Sequence, residues 1–169
     1  PSGQLYEVGR RLRPSGNSGL LVSSLKAFRD YQLKEAWTWE HQALVRARVI
    51  TGDKALQQRF ETVRCEVLGQ HRELDKLRGE VRDMRTKMRD HLGSKNTENS
   101  ENAVFNLKQD RGGIVDIEFL VQYLALAFSV DKPELITFTD NMRILDAAEQ
   151  AELLSSADAD LLREAYKSY

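Results

Sequence analysis

Ile114-Val115-Asp116-Ile117-Glu118-Phe119-Leu120-Val121-Gln122-Tyr123-Leu124-Ala125-Leu126-Ala127-Phe128 is apolar on nearly every side. Fifteen such residues are too many for a strand and too few to span a bilayer, so the stretch is read as the central helix of a bundle. Arg111-Gly112-Gly113 leads into it and Pro133 follows it. Downstream, Asp140 is placed to cap a helix through about Gln150, and Ser155 or Ser156 to cap a last one. Upstream, Leu74, Leu77, Val81, Met84 and Met88 recur at spacings of three and four. That is a narrow seam on a helix crowded with both signs of charge. Leu56, Phe60, Val63 and Val67 form another face, opened by Thr51-Gly52-Asp53 and closed by Gly69. Ser23 or Ser24 caps a helix from about Leu25 to Ala36, expected to continue, bent, through Arg48. Between Pro14 and Pro133 the chain has no proline to interrupt such helices.

Two stretches depart from this pattern. Gly93 to Asn102 is polar without apolar anchors and is expected to be a mobile loop. Residues 1–22 hold a short β pattern, Leu5-Tyr6-Glu7-Val8, and a basic Pro/Ser/Gly/Asn turn. The expectation is an all-α helical bundle of the up-and-down type over residues 23–169. The strand remnant and basic loop of residues 1–22 would belong to a neighbouring domain. The chain begins with Pro1 and not methionine, which suggests a piece of something longer.

Composition bounds the function. Across 169 residues, 25 lysines and arginines nearly balance 26 aspartates and glutamates, and mean hydropathy is −0.52. A net charge of −1 argues against a dedicated nucleic-acid or anionic-membrane binder. One cysteine, Cys65, excludes an intrachain disulfide framework and fits a reducing, cytoplasmic setting. No apolar run approaches a membrane span, and no signal peptide is evident.

Three features could carry chemistry. Arg10, Arg11 and Arg13 in a Gly/Ser turn suit phosphate oxygens, although a solvated loop with ordinary arginines is the commoner outcome. Gly112-Gly113 opens a helix whose first turns hold Asp116 and Glu118. Carboxylates two apart on a helix do not face each other, so capping and tight packing suit them better than a shared metal. Trp37, Trp39, Glu40 and His41 form the third feature. Trp37, His41, Leu44 and Arg48 share a helical stripe, which favours packing over base stacking. No second histidine stands at metal-ligand spacing from His41. The basic helix from Arg72 to Arg89 carries compensating acids throughout and reads as a solvated face.

Particular strings go further. Leu5-Tyr6-Glu7-Val8, Arg11-Leu12-Arg13-Pro14-Ser15-Gly16 and Ser18-Gly19-Leu20-Leu21-Val22 resemble the glutamine synthetase adenylyltransferase family. So do Tyr31-Gln32, Ala36-Trp37-Thr38-Trp39-Glu40-His41-Gln42-Ala43-Leu44-Val45-Arg46-Ala47-Arg48, and Gly112-Gly113-Ile114-x-Asp116-Ile117-Glu118-Phe119. The motifs come in the family's order over most of the chain, and the Trp-Thr-Trp-Glu-His-Gln block is the most specific. The resemblance is to the carboxy-terminal, adenylylating half of a two-headed enzyme. It implies a nucleotidyltransferase head followed by this helical domain, moving AMP from ATP, with magnesium, onto a tyrosine of glutamine synthetase. It also implies glutamine synthetase and a nitrogen-regulatory signal protein as partners. Two of the family's metal-holding acids lie in an upstream Gly-Ser-Asp-x-Asp motif that this sequence lacks. The third precedes Arg-Leu-Arg-Pro, where this sequence has Gly9, which cannot ligate a metal. Glu7 is not promoted to that vacancy, because the family keeps both acids. Arg11 and Arg13 match and are the candidates for nucleotide phosphate contacts. The chain alone is therefore expected to be inactive, a helical domain that orients a protein partner. A binding module for those partners, or the helical domain of a related uridylyltransferase, are the alternatives.

Overall fold

Helix-starting signals of ordinary chemistry punctuate the chain, and a computed structural model, which describes residues 22–95 and 104–169, places a helix behind each. Helix α1 spans Leu25–Lys34, its first turn closed by the Ser24 hydroxyl accepting from Ala27 N at 3.1 Å. Helix α2 is Thr38–Val45 and α3 is Lys54–Leu68, where Asp53 accepts from Leu56 N at 2.7 Å. Helix α4 is Leu74–Leu92, α5 is Ile114–Phe128 and α6 is Asn141–Gln150, with a 3-10 turn at Pro133–Ile136 before it. Helix α7, Ser156–Ser168, starts on the Ser155 cap. Among the described residues there is no strand, and the fold is an all-α bundle. No described helix is long and apolar enough to cross a membrane. The β pattern of residues 1–21 and positions 96–103 of the polar segment lie outside the described residues.

Helix α5 is the axis. It buries Val115, Ile117, Val121, Gln122, Leu124, Ala125 and Leu126, the largest set of any described helix. Side-chain pairings fix its neighbours' directions. Arg85 meets Asp116 near one end of α5, and Gln42 of α2 and Arg46 just after it meet Gln122 and Glu118. From α2 into its C-cap the residue number rises as its partner's on α5 falls, so those two helices run antiparallel. One apolar cluster joins Leu44 and Val45 of α2, Val67 and Leu68 of α3, Leu77 of α4, and Ile144 and Leu145 of α6 to α5. Helix α7 is held at the edge by Arg163, which donates to Asp146 and Glu149 of α6, both at 2.8 Å.

Three expectations are corrected. Helices α1 and α2 are separate, because Trp37 is extended at φ −87° and ψ 161° and α2 begins afresh at Thr38. Trp37 therefore lies off the predicted stripe, 71% exposed, and Arg48 lies beyond the end of α2. Leu56 and Leu74, at the outer ends of their seams, stay 43% and 40% exposed.

Candidate functional site

The Trp37–His41 block is a joint. The carboxylate of Glu40, 8% exposed, reaches back to accept from Trp37 N at 3.0 Å and takes the Tyr31 hydroxyl at 2.9 Å. This is half of a capping box; an indole has only a donor, so Trp37 cannot return the bond. The Thr38 hydroxyl donates to Glu80 of α4. His41 Nε2 lies 2.9 Å from the Gln32 carbonyl, in the last turn of α1, while its Nδ1 lies 3.4 Å from the Arg72 guanidinium. Those partners require a neutral ring with the proton on Nε2. Arg72 in turn donates to Val67 O at 2.9 Å and to Leu68 O and Gln70 O at 2.8 Å, closing the end of α3. The block thus locks α1 to α2 and both to the α3–α4 corner.

Burial pushes the His41 pKa below its ordinary 6.5, and Arg72 lowers it further, against opposing pulls from the Gln32 carbonyl and Glu40. Arg72, desolvated and without an acid partner among the described residues, is itself lowered to about 10 and stays charged at neutral pH. Above the unfolded value His41 is neutral in both states and imposes no penalty. As pH falls below 6.5 the unfolded chain binds the proton first, so stability drops until the folded value is passed. Urea unfolding at pH 7.5, 6.5 and 5.5 should show a declining midpoint. His41→Gln, whose amide can still donate to Gln32 O, should flatten that decline.

Gly112-Gly113 and the α5 acids form a second joint. Gly112 sits at φ +86°, with open space where a Cβ would go. Gly113 has an ordinary backbone, but a Cβ there would meet Leu107 O at 2.6 Å. The α5 amides are capped by the preceding turn, Ile114 N donating to Leu107 O at 2.9 Å. Asp116 Oδ2 accepts from Gly112 N and Oδ1 from Arg85 Nε, both at 2.6 Å. Glu118 pairs instead with Arg46, which closes the end of α2. The two acids therefore serve different helices and do not converge on one point. Asp110, held below the usual carboxylate range by the amides of Asn106 and Ser94, ties together the two flanks of the polar segment.

Sequence reading missed the buried arginines. Arg64 is fully buried, donating to Val45 O at 2.6 Å, Leu44 O at 3.1 Å, Ile136 O at 2.7 Å and Phe138 O at 3.3 Å. Arg85 is 8% exposed, so the expected solvated face of α4 is interrupted there, as it is at half-buried Arg72 just before the helix. A signal existed: Arg64 follows Phe60 by four, and Arg85 follows Val81 by four, on the apolar stripes. Gly9, Arg11 and Arg13 lie outside the described residues.

Between the start of α2 and the outer face of α4 lies an open cleft of about 470 Å³. Ala36, Trp37, Thr38 and Trp39 form one wall, and Lys76, Glu80, Asp83, Met84 and Lys87 the other. Trp39 is half-buried and Trp37 stands at the lip.

Comparison with known proteins adds the lineage. Residues 1–63 match the family profile of glutamate-ammonia ligase adenylyltransferase, and residues 82–169 match that of GlnD PII-uridylyltransferase. The chain is 62% identical to a bifunctional glutamine synthetase adenylyltransferase/adenylyl-removing enzyme of Pseudomonas syringae pv. tomato, over 99% of its own length. Enzymes of the same name from Pseudomonas aeruginosa and Acinetobacter baylyi are 59% and 58% identical, over 100% and 97% of the chain. The chain spans 18% of the length of each.

Proposed function

The chain belongs to the glutamine synthetase adenylyltransferase family, and on that premise we propose that it is the helical domain behind the adenylylating head. In the intact enzyme that head would move AMP from ATP, with magnesium, onto a tyrosine of glutamine synthetase, and this domain would orient the protein partner. One observation carries the role of the domain. Its motif carboxylates are bound into joints between helices, Glu40 by Tyr31 and Trp37, Asp116 by Arg85 and Gly112, and Glu118 by Arg46. Carboxylates so engaged, and pointing to different helices, do not fit a pair of magnesium ions or a nucleotide. The motifs build a rigid platform, and no step of phosphoryl transfer is assigned to them.

The match of residues 82–169 to the uridylyltransferase profile favours a second reading, the equivalent domain of a PII-modifying enzyme. Against it stand the match of residues 1–63 and the identity to adenylyltransferases along the whole chain.

The purified chain, given magnesium, α-labelled ATP and glutamine synthetase, should leave the synthetase unlabelled. Calorimetric titration with glutamine synthetase should give a measurable heat. Transfer of label would overturn the platform role, and absence of heat with both the synthetase and the PII signal protein would remove the partner-orienting one.

A further inference from the structure

We propose that the cleft between the start of α2 and the outer face of α4 is a docking seat for a basic side chain of a protein partner. The proposal rests on the reading above that the domain meets another protein. Trp37 is the first indication. It occupies an N-cap position, where serine or aspartate would satisfy a free amide, yet its side chain makes no cap bond. At 71% exposure it also contributes little to the core, and it is the most exposed aromatic side chain among the described residues. An indole that serves neither the helix end nor the core is suited to contact with something else, and tryptophan dominates interface anchor positions.

Charge selects the occupant. Along the facing stripe of α4 stand Lys76, Glu80, Asp83 and Lys87, with the two acids at the centre. Glu80 is engaged by Thr38 and lies 3.9 Å from Lys76. Asp83 makes no hydrogen bond or ion pair among the described residues. A cation entering beneath the indole would meet an aromatic face and a carboxylate together, the chemistry that recognises a guanidinium or ammonium group. A second copy of the chain is disfavoured. The order plus, minus, minus, plus reads the same in both directions, so a two-fold pairing of these stripes sets like charge against like. An acidic group would meet the central carboxylates.

The test is calorimetric titration of the whole chain with glutamine synthetase at 50 and 300 mM salt, against three variants. Trp37→Ser should bind about tenfold more weakly with no fall in melting temperature, since serine is the better cap. Asp83→Lys should also weaken binding about tenfold. Lys87→Glu should tighten it several-fold, and higher salt should reduce both differences. Unchanged binding by Trp37→Ser or Asp83→Lys, or weakening by both charge changes, overturns the seat while the partner-orienting role stands. Absence of binding by the unaltered chain overturns that role and the seat with it.

Discussion

Arg64→Ala should lower the stability of the domain by about 3–5 kcal/mol, the range for leaving buried polar partners uncompensated. The guanidinium is completely enclosed and satisfies carbonyls from two places far apart in the chain, Leu44 and Val45 at the end of α2, and Ile136 and Phe138 beside the 3-10 turn. Its removal strips the Val45, Ile136 and Phe138 carbonyls of this donor, while Leu44 O keeps the Ala47 amide, and it leaves a cavity where the guanidinium stood. With a urea dependence of about 2 kcal/mol per molar, the midpoint should fall by about 2 M. Arg64→Lys separates charge from shape. An ammonium is a compact donor that cannot span a fork of four carbonyls, so lysine should recover less than half of the loss. Unfolding of either variant within about 0.5 kcal/mol of the unaltered chain would show that the clamp is not what holds these elements.

Gly113→Ala should be the more damaging of the two glycine substitutions, costing about 2–3 kcal/mol. Backbone angles alone point the other way, because Gly112 has the positive φ. An L-residue at Gly112 would cost about 1–2 kcal/mol but would find open space. At Gly113 the new methyl group would meet backbone, Leu107 O at 2.6 Å and Asp110 O at 3.0 Å, which cannot swing aside as a side chain can. The turn would have to open, weakening the hydrogen bond from Ile114 N to Leu107 O and the seat of Arg85 between Asp116 and the Gln109 carbonyl. Thermal melts of both variants, with amide exchange over residues 107–118, check the order. A melting temperature for Gly113→Ala above that of Gly112→Ala would reject the close-approach argument.

These two positions show where sequence reading worked and where it stopped. Ser24, Asp53, Asp140 and Ser155 announced their helices because capping is local chemistry, written within three residues of each helix start. The all-round apolar character of α5 likewise identified the axis of the bundle. The break at Trp37 was not legible, since it depends on Tyr31 of α1 meeting Glu40 and on Thr38 meeting Glu80 of α4. Nor were the roles of Arg64 and Arg85. An arginine on an apolar stripe is ambiguous until the carbonyls around it are known, and those come from 19 to 74 residues away for Arg64. For Asp116 and Glu118 the spacing already argued against a shared metal, and the fold supplied their separate partners. The phosphate candidates Arg11 and Arg13 lie outside the described residues, so their assignment rests on resemblance.

The bond from Gln42 Nε2 to Gln122 Oε1, 3.0 Å long and buried between α2 and α5, reaches beyond packing. One of its residues falls in the stretch matched by the adenylyltransferase profile and the other in the stretch matched by the uridylyltransferase profile. The same is true of the Arg46–Glu118 pair. The stretches matched by those two profiles thus meet inside one shared interior and not at a seam between modules. In a recombination experiment, crossovers placed between residues 63 and 82 would separate residues that hold each other in register. Such hybrids should survive only when both parents carry compatible groups at 42, 46, 118 and 122. The front and rear helices of this domain are therefore expected to be inherited as a unit, even though two different profiles match them.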